Sequence, residues 1–354
     1  MSNILLNKCS ARIIKNTLRW NFNFYFRKKA FPLITAFRLT NKCNLQCAMC
    51  GIWQIPEKKV FAFDKFRKII RELGELGCCY VTLSGGEPLL VPNITDYVRE
   101  AKRQDIFTNL VTNGLLIDAE LTKGFAAARL DTISLSIDGL KETHDRIRGF
   151  AGSFEAALGA LDFLERLAPE VRIVVNTVIS PWNIDDLKEL HGLLSKRRLF
   201  FKFQPIYHHP DYEKQKKETW AVTPEFMAKL EGLIKYLLKQ KNVVSSAYFL
   251  RAIPDYFKKD LRGRIFSGPC FSPYYYCEFM EDGSISPCVE GMGWQNGLNM
   301  DNCALATFLE SQVYKDKIEQ MSDCRRCGEI LTICYAEPKF LLPLGNLVYA
   351  KFNC

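Results

Sequence analysis

Short apolar runs alternate with amphipathic stretches six times between residues 33 and 206. In one amphipathic stretch, apolar residues recur at helical spacing, at Phe66, Ile69, Ile70 and Leu73, and the predicted helix ends near Gly74 or Gly77. Strands that alternate with helices form parallel sheets. The sequence therefore predicts an α/β fold, and such a sheet binds its ligands at the carboxyl ends of its strands.

The predicted elements follow one another through this stretch. We expect strands at 33–39, 80–83, 107–111, 132–137, 171–179 and 200–205. We expect helices between them at Phe63–Leu76, 94–102, Ala119–Ala127, Ser153–Leu167 and 184–194. The last strand lacks its helix, so residues 33–206 make up one predicted domain.

Three other segments flank this predicted domain. Residues 1–32 form a basic, aromatic arm, and residues 207–265 predict a helical bridge in which Thr223 is the N-cap of a helix at 224–238. Residues 266–354 are rich in turns and cysteines, which predicts a small α+β domain stapled by metal. A length of 354 residues allows one large domain or two modest ones.

The cellular compartment decides how the 14 cysteines are interpreted. No apolar run approaches the roughly 20 residues that span a bilayer, and the amino terminus lacks a secretory signal pattern, so we expect a cytosolic protein. In that reducing compartment, clustered cysteines are metal ligands or catalytic groups rather than disulfides. Three lie at Cys43, Cys47 and Cys50, and eight fall between Cys270 and Cys354.

The strongest motif is the run Cys43-Asn-Leu-Gln-Cys47-Ala-Met-Cys50, directly after the first predicted strand. Three thiolates within eight residues can surround one cluster from a single loop, and thiolates are the usual ligands of iron–sulfur clusters. Three ligands on a four-iron cluster leave one iron open to a small molecule. The alternative metal is zinc, which prefers four ligands at structural sites.

Three further motifs follow the next three predicted strands. The first is Gly85-Gly86-Glu87-Pro88, whose paired glycines let the backbone approach a ligand and expose its carbonyl groups. The other two are ordinary turns when taken alone, at Thr112-Asn113-Gly114 and at Ser136-Ile137-Asp138-Gly139. Because all the motifs fall at the same end of successive strands, we expect them to line one site.

Together these residues resemble the radical S-adenosylmethionine (radical SAM) superfamily, over roughly residues 33–206. Its hallmarks are a C-x3-C-x2-C loop after the first strand, a Gly-Gly-Glu-Pro segment after the second, and a partial (β/α)6 barrel of the TIM type. The resemblance implies that Cys43, Cys47 and Cys50 hold a 4Fe–4S cluster whose open iron binds the amino and carboxyl groups of S-adenosylmethionine (SAM).

The resemblance also implies the reaction. A radical SAM enzyme cleaves SAM reductively to a 5′-deoxyadenosyl radical, which takes a hydrogen atom from an unactivated carbon of its substrate. Whether the outcome is of the oxidoreductase or the transferase type stays open. The protein's part in such chemistry is binding, orientation and the exclusion of side reactions.

Individual SAM contacts follow from the same resemblance. The backbone of the segment with Gly85, Gly86, Glu87 and Pro88 would accept hydrogen bonds from the SAM amino group. Ser136 and Asp138 match the position after the fourth strand that meets the ribose. Arg148 would meet the SAM carboxylate, and Asn176 on the fifth strand would face the same site. The alternatives for these last two are a surface salt bridge and a strand-end amide.

The cysteines near the carboxyl end resemble the SPASM/twitch extension of many radical SAM enzymes, which carries one or two auxiliary iron–sulfur clusters. A twitch arrangement would use one set of four thiols, Cys270, Cys288, Cys324 and Cys327. A SPASM arrangement would place three thiols on one cluster and four on another, namely Cys270, Cys277 and Cys288, and Cys324, Cys327, Cys334 and Cys354. The match loosens after Cys327, where Pro338 stands in place of an expected cysteine, so the number of clusters stays open, with zinc as the alternative metal.

The arm at residues 1–32 carries seven basic residues, no acidic residue and several aromatic residues around Trp20. Such a segment suits an anionic membrane surface, nucleic acid, or an arm packed on the body with its charges in water. Nucleic acid is the least favoured of the three. Peripheral contact of a cytosolic protein with a membrane therefore stays open.

The resemblance implies a reductant such as a flavodoxin or a ferredoxin, and it leaves the substrate open between a peptide, a lipid and a small metabolite. Residues 1–32 are too few for a domain that binds a leader peptide, so a peptide substrate would need a separate partner. The alternative function is a non-catalytic iron–sulfur electron carrier or scaffold. The segment at residues 85–88 argues against this alternative, because a carrier needs no SAM site.

Overall fold

The computed structural model describes residues 11–27, 29, 31–207, 221–259, 270–288, 297–300, 303–322 and 331. Within these residues, eight strands form one sheet in the order β6-β5-β4-β3-β2-β1-β7-β8. The strands are β1 Ile34–Arg38, β2 Tyr80–Ser84, β3 Phe107–Thr112, β4 Thr132–Ser136, β5 Arg172–Ile179, β6 Phe200–Pro205, β7 Tyr276–Phe279 and β8 Ile285–Ser286. Neighbouring strands are parallel from β6 to β7, and only β8 is antiparallel to its neighbour. The predicted α/β fold, a partial barrel of the TIM type, is confirmed.

The helices alternate with the first six strands and continue beyond them. They are α1 Ala11–Phe22, α2 Phe63–Leu76, α3 Ile94–Arg103, α4 Ala119–Ala127, α5 Lys141–Arg148, α6 Ser153–Leu167, α7 Leu187–Leu194, α8 Pro224–Leu237, α9 Ala247–Phe257 and α10 Gln312–Ser322. A π-helical turn lies at Asn23–Arg27, and short helical segments lie at Ile52–Gln54, Pro88–Leu90, Ser272–Tyr275 and Leu305–Leu309.

Apolar spacing predicted most of these helices, and α2 shows why. Its apolar stripe is buried in the main core, and Gly77 ends it in the left-handed conformation, with φ of 102° and an N–H that donates to Leu73 O over 3.0 Å. By contrast, α5 was not predicted. Its buried residues are His144, Ile147 and Arg148, so it has no apolar stripe for the spacing to reveal.

Residues 207–265, the predicted helical bridge, contain α8, which is the helix expected at 224–238, and α9 after it. The Oγ1 of Thr223 accepts a hydrogen bond from the N–H of Phe226 over 3.1 Å, so Thr223 is the N-cap that the sequence predicted. Both helices bury apolar residues in the same core cluster as the sheet. No helix in the described ranges is both long enough and apolar enough to cross a membrane.

The hairpin of β7 and β8 continues the main sheet. Ile34 at the start of β1 pairs with Tyr276 at the start of β7, and Phe37 pairs with Phe279. The sequence analysis placed these residues in a separate small domain at 266–354, and those domain bounds stay a prediction. Because β7 is parallel to β1, the end of β7 lies at the edge of the sheet where β1 to β6 also end.

Candidate active site

A loop at residues 41–50 follows β1 and carries the three clustered cysteines; we call it the cysteine loop. The chain after β2 lies directly against its start. A Cβ atom on Gly85 would lie 2.3 Å from the Thr40 carbonyl oxygen, and one on Gly86 would lie 2.0 Å from the Lys42 carbonyl oxygen. Gly85 also has φ of 136°. Glycine is therefore required at both positions for the approach of two backbone segments.

Glu87 fastens the loop after β2 to the end of β3. Its side chain, 1% exposed, accepts hydrogen bonds from Thr112 Oγ1 over 2.7 Å, from the N–H of Asn113 over 2.9 Å and from the N–H of Leu89 over 3.0 Å. Burial raises the pKa of Glu87, and these donors act against that rise. The carboxylate is thus used within the protein, and the backbone beside it is left to contact a ligand.

Two further contacts hold the cysteine loop. The Nδ2 of Asn113, at the end of β3, donates to Asn44 Oδ1 over 2.8 Å. At the end of α5, Gly149 has φ of 67°, and a Cβ atom there would lie 2.7 Å from Gln46 O. The loop is therefore clamped by the ends of β2, β3 and α5. The sequence analysis treated Asn113 as part of an ordinary turn, did not single out Gly149, and missed this role of both residues.

The three thiols of the cysteine loop lie close enough to affect one another. Cys47 is buried, and Cys43 and Cys50 are half-buried. Burial is the main cause that raises the pKa of all three thiols, and the neighbouring thiols contribute to the rise at Cys43 and at Cys50, whose pKa reaches about 12. A metal that displaces these protons would replace neutral, buried thiols by metal-bound thiolates.

The cysteine loop presents three sulfur ligands, and thiolates are the usual ligands of iron–sulfur clusters. Within the part of the chain that the structure describes, no group of three or more His, Cys, Asp or Glu side chains converges as a site for one metal ion. Each thiolate of a four-iron cluster binds a different iron, so its ligands need to surround a cluster rather than meet at one point. Three soft sulfur ligands on one clamped loop are the donor set that such a cluster requires.

Arg148 contacts the cysteine loop and forms a salt bridge with Asp138. Its Nη2 lies 2.5 Å from Asp138 Oδ2, and its Nη1 lies 3.9 Å from Cys47 Sγ. Although burial acts to lower the pKa of Arg148, the charges of Asp138 and Cys47 raise it on balance. The second oxygen of Asp138 accepts from the N–H of Val178 over 2.9 Å. Asp138 is fully buried and so serves to position Arg148.

His144 on α5 supports the same pair. Its Nδ1 accepts a hydrogen bond from the N–H of Asp138 over 3.0 Å, which requires the neutral ring with an unprotonated Nδ1. Burial and the nearby charge of Arg148 lower the pKa of His144 to about 4. The sequence analysis did not identify this residue as part of the site, because a single histidine in a polar helix carries no distinctive signal.

Ser136 and Asn176 lie side by side at the ends of β4 and β5, where they pair in register. The Oδ1 of Asn176 is buried and has no hydrogen-bond partner among the described residues. A buried amide oxygen without a partner costs free energy, so this atom is suited to accept a hydrogen bond from a ligand. The structure thus brings together the predicted residues of β4 and β5, with Asn176 the more available of the two.

A cavity of about 270 Å³ opens beside Cys50 and Gly85. Its wall includes Arg38 and Gln204 near the ends of β1 and β6, and Glu278 on β7. The sequence analysis named none of these three. The rule that strand ends carry the site could have identified Arg38 and Gln204, whereas Glu278 required knowledge that β7 pairs with β1.

The auxiliary cysteines that the structure describes fall into two places. Cys270 and Cys288 are buried in a small apolar cluster, and Ser272 Oγ joins their segments by donating to Pro287 O over 3.1 Å. The N–H of Cys270 donates to the carbonyl of Ser322 over 3.1 Å. Cys277 instead lies fully buried in the main core, where its Sγ is 3.6 Å from Thr35 Oγ1.

Burial raises the pKa of Cys277 to about 12. The other four predicted auxiliary ligands lie outside the described residues: Cys324, Cys327, Cys334 and Cys354. Cys324 follows Ser322 in the chain by two positions.

Comparison with known proteins agrees with this geometry. Residues 37–194 match the family model described as the Radical SAM superfamily. The chain is 32% identical over 166 residues to an AdoMet-dependent heme synthase of Methanosarcina barkeri. This aligned region covers 46% of this chain and 47% of that protein. It is 30% identical over 174 residues to a PqqA peptide cyclase of Rhodopseudomonas palustris, covering 48% of this chain and 46% of that protein. The matches thus span about half the length of these curated relatives.

The fold itself is shared more widely. The crystal structure of Streptococcus suis SuiB bound to its precursor peptide SuiA superposes with a TM-score of 0.66 at 18% identity, over 91% of this chain and 76% of that chain. At this level of identity the likeness concerns the fold alone.

Proposed function

We propose that this chain, whose residues 37–194 match the family model of the Radical SAM superfamily, is an enzyme that cleaves SAM reductively to a 5′-deoxyadenosyl radical and abstracts a hydrogen atom from an unactivated carbon. The observation that carries the proposal is the clamped cysteine loop. Cys43, Cys47 and Cys50 lie on this loop, whose start at Thr40 and Lys42 is held against Gly85 and Gly86, so the ligands of a cluster and the backbone that would meet SAM are fixed relative to each other.

The three thiolates would hold a 4Fe–4S cluster and leave one of its irons open. When bound, such a cluster supplies the electron that breaks the carbon–sulfur bond of SAM. The protein contributes a buried environment and a fixed positive charge at Arg148, which favours the thiolate form of Cys47. Asp138 limits the cost of burying that charge, because a buried guanidinium needs a counter-ion.

The SAM contacts proposed for this chain come from three strand ends. The backbone of residues 85–88 would meet the SAM amino group, and Glu87 would keep that backbone in place. Ser136 and the Oδ1 of Asn176 are available for hydrogen bonds to the ribose or the amino acid moiety. Arg148 would reach the SAM carboxylate through its Nε, which is buried without a hydrogen-bond partner among the described residues.

A substrate would enter the cavity beside Cys50, where its reacting carbon could approach SAM. Apolar side chains line this cavity together with Arg38, Glu278 and Gln204. Such a mixed wall suits a peptide or a polar metabolite better than an acyl chain. The names of similar proteins are consistent with this choice, since a PqqA peptide cyclase and the peptide-bound SuiB are among them.

We also propose one auxiliary iron–sulfur cluster of the twitch type. The structure brings together three segments of the chain that carry the ligands of this arrangement. Cys270 and Cys288 belong to the same small apolar cluster. The N–H of Cys270 is hydrogen-bonded to Ser322, which precedes Cys324 by two positions. Cys277 faces the other core, which favours its exclusion from the ligand set. A flavodoxin or a ferredoxin would supply the electrons.

The test is anaerobic reconstitution with iron and sulfide, followed by dithionite and SAM. We expect 5′-deoxyadenosine from the wild-type chain and none from the variant in which Cys43, Cys47 and Cys50 are all changed to Ala. Formation of 5′-deoxyadenosine by the triple variant would refute the assignment. A folded, fully loaded wild-type protein without SAM cleavage would favour the alternative, a non-catalytic electron carrier or scaffold. Mass spectrometry on peptide, lipid and metabolite pools then identifies the substrate.

A further inference from the structure

Helix α1 and the turn after it have two apolar faces, of which one packs on the protein. Trp20 is fully buried, stacks on Phe24 with ring centroids 5.1 Å apart, and donates from Nε1 to Tyr274 O over 2.8 Å. Asn16 on the same face donates from Nδ2 to Gly77 O over 3.0 Å. These contacts fix the orientation of the helix, and they therefore also fix which side chains its other face exposes to solvent.

The outer face carries a stripe of large apolar side chains, which we call the outer stripe: Ile14, Leu18, Phe22, Tyr25 and Phe26. They are between 45% and 77% exposed, and the first three recur every four residues. Single exposed apolar residues are common, but a continuous stripe on one rigid helix marks an interaction surface.

Basic residues run alongside the outer stripe. Lys15 and Arg19 lie one position after Ile14 and Leu18, and both are exposed. The Arg27 guanidinium lies over the Phe22 ring at 5.5 Å from its centroid. No acidic residue occurs between residues 11 and 27, and neither Arg19 nor Arg27 has an ion pair with a carboxylate in the described ranges. The charge of this face is therefore available to an anionic partner.

A cavity of about 360 Å³ lies at the foot of this helix, between it and the segment around Glu310. Three cations line it, Arg19, Arg27 and Lys29. Lys29 pairs with Glu310 over 2.6 Å at the surface, where both side chains are more than half exposed. One carboxylate thus faces three cations, which leaves a net positive recess next to the apolar side chains.

We propose that this face docks on an anionic phospholipid membrane. The outer stripe would enter the boundary between headgroups and acyl chains, and lipid phosphates would lie against Arg19, Arg27 and the recess. The aliphatic members of the stripe, Ile14 and Leu18, suit acyl chains and offer no ring for base stacking, which favours a membrane over nucleic acid. The proposal does not depend on the radical chemistry.

The docking face lies at the opposite end of the sheet from the candidate active site. Gly77 precedes β2 and Tyr274 precedes β7, so α1 contacts the amino ends of strands whose carboxyl ends carry the site. A five-residue strand spans roughly 16 Å. A membrane bound at α1 would therefore face away from the cavity beside Cys50. Docking would place the protein at a surface without delivering lipid to its active site.

The test uses the full-length protein and sedimentation with vesicles of phosphatidylcholine alone or with phosphatidylserine. We expect binding to the anionic vesicles only, weakened as salt rises. The variant Arg19→Gln/Arg27→Gln should bind about thirty-fold more weakly, and Leu18→Gln/Phe22→Gln/Phe26→Gln should lose binding. Matched controls remove exposed residues elsewhere, Lys123→Gln/Lys239→Gln for charge and Leu193→Gln/Val222→Gln for the stripe, and they should bind like the wild type.

Several outcomes would overturn the proposal. The proposal is wrong if the wild-type protein does not bind anionic vesicles, or if it binds neutral vesicles equally well. It is also wrong if the control variants lose as much binding as the docking-face variants do. Binding to an RNA oligonucleotide without vesicle binding would assign the face to nucleic acid instead. Dimerisation that the triple variant abolishes, again without vesicle binding, would assign it to a second copy of the chain. SAM cleavage should be equal in all these variants, which separates this test from that of the proposed function.

Discussion

The Nη1 of Arg148 lies 3.9 Å from the Sγ of Cys47, so a buried positive charge stands against one of the three clustered thiols. Asp138 holds the guanidinium from the other side, with Nη2 2.5 Å from Oδ2. The partners are 101 residues apart in the chain, since Arg148 ends helix α5 and Cys47 lies in the loop after β1. The electrostatics of the site are therefore determined by elements that the cysteine motif does not include.

The first prediction concerns this charge. Arg148→Gln should retain the cluster but lower its reduction potential, because the positive charge that favours the added electron is removed. SAM cleavage should slow accordingly. Redox titration followed by electron paramagnetic resonance measures the potential, and Arg146→Gln, on the exposed face of the same helix, is the control. An unchanged potential with weakened SAM binding would show that Arg148 acts on the SAM carboxylate alone and not on the cluster.

The second prediction concerns the glycine contact. Gly86→Ala should displace the cysteine loop, because the added Cβ would lie 2.0 Å from the Lys42 carbonyl oxygen. We expect lower iron content after reconstitution and a loss of unfolding free energy of about 1–3 kcal/mol. Gly159→Ala, on α6, has nothing within 4 Å of the new Cβ and should keep its iron and gain up to about 1 kcal/mol. Normal iron content in Gly86→Ala would contradict the clamp.

The third prediction concerns the auxiliary cluster. The variant that lacks Cys43, Cys47 and Cys50 should still bind about four irons per chain if the twitch arrangement holds, and about seven or eight if the SPASM arrangement does. In that background, Cys277→Ala should leave the iron content unchanged, whereas Cys270→Ala or Cys288→Ala should lower it. Iron and sulfide analysis after anaerobic purification measures this. Zinc in place of iron would refute the auxiliary cluster and leave the barrel assignment intact.

The fourth prediction concerns electron transfer through that cluster. Changing Cys324 and Cys327 to Ala should spare the cleavage of SAM and abolish the substrate-derived product, because the auxiliary cluster would exchange an electron with the substrate radical. Product and 5′-deoxyadenosine are quantified in the same reaction by mass spectrometry. Loss of both together would show that these cysteines support the fold of the barrel rather than a later step.

The fifth prediction concerns acid stability. His144 has a pKa of about 4 in the folded protein and about 6.5 when unfolded, so the unfolded chain binds the extra proton between these values. Its contribution to stability is complete above about pH 6.5 and is lost as the pH falls towards 4. At pH 5 the loss is about 2 kcal/mol.

Urea unfolding of the wild type and of His144→Asn, at pH 7.5 and pH 5, measures this effect. The asparagine keeps an acceptor for the N–H of Asp138 but does not titrate, so the variant should lose less stability on acidification. His191 should preserve part of the pH dependence, because burial lowers its pKa as well. Equal pH dependence of wild type and variant would contradict the role of His144.

The sequence by itself determined the strand–helix order, the helices with apolar stripes and the cysteine loop, because each rests on residues that are neighbours in the chain. It also placed Gly85, Ser136 and Asn176 at one edge of a sheet, since parallel strands end together. Among the helices that escaped this reasoning, two did so for clear physical reasons: α5 buries polar residues, and the helical part of the arm buries only one side of a helix that is apolar on two.

The tertiary structure decided the contacts between distant segments. It directed the carboxylate of Glu87 into the protein, paired Arg148 with Asp138 and Cys47, and joined β7 to β1, which brought Glu278 to the cavity. It also separated Cys277, which lies on β7 and is buried in the main core, from Cys270 and Cys288, which lie outside the strands in the small apolar cluster. Periodicity records which face of an element is buried, and only packing determines what that face meets.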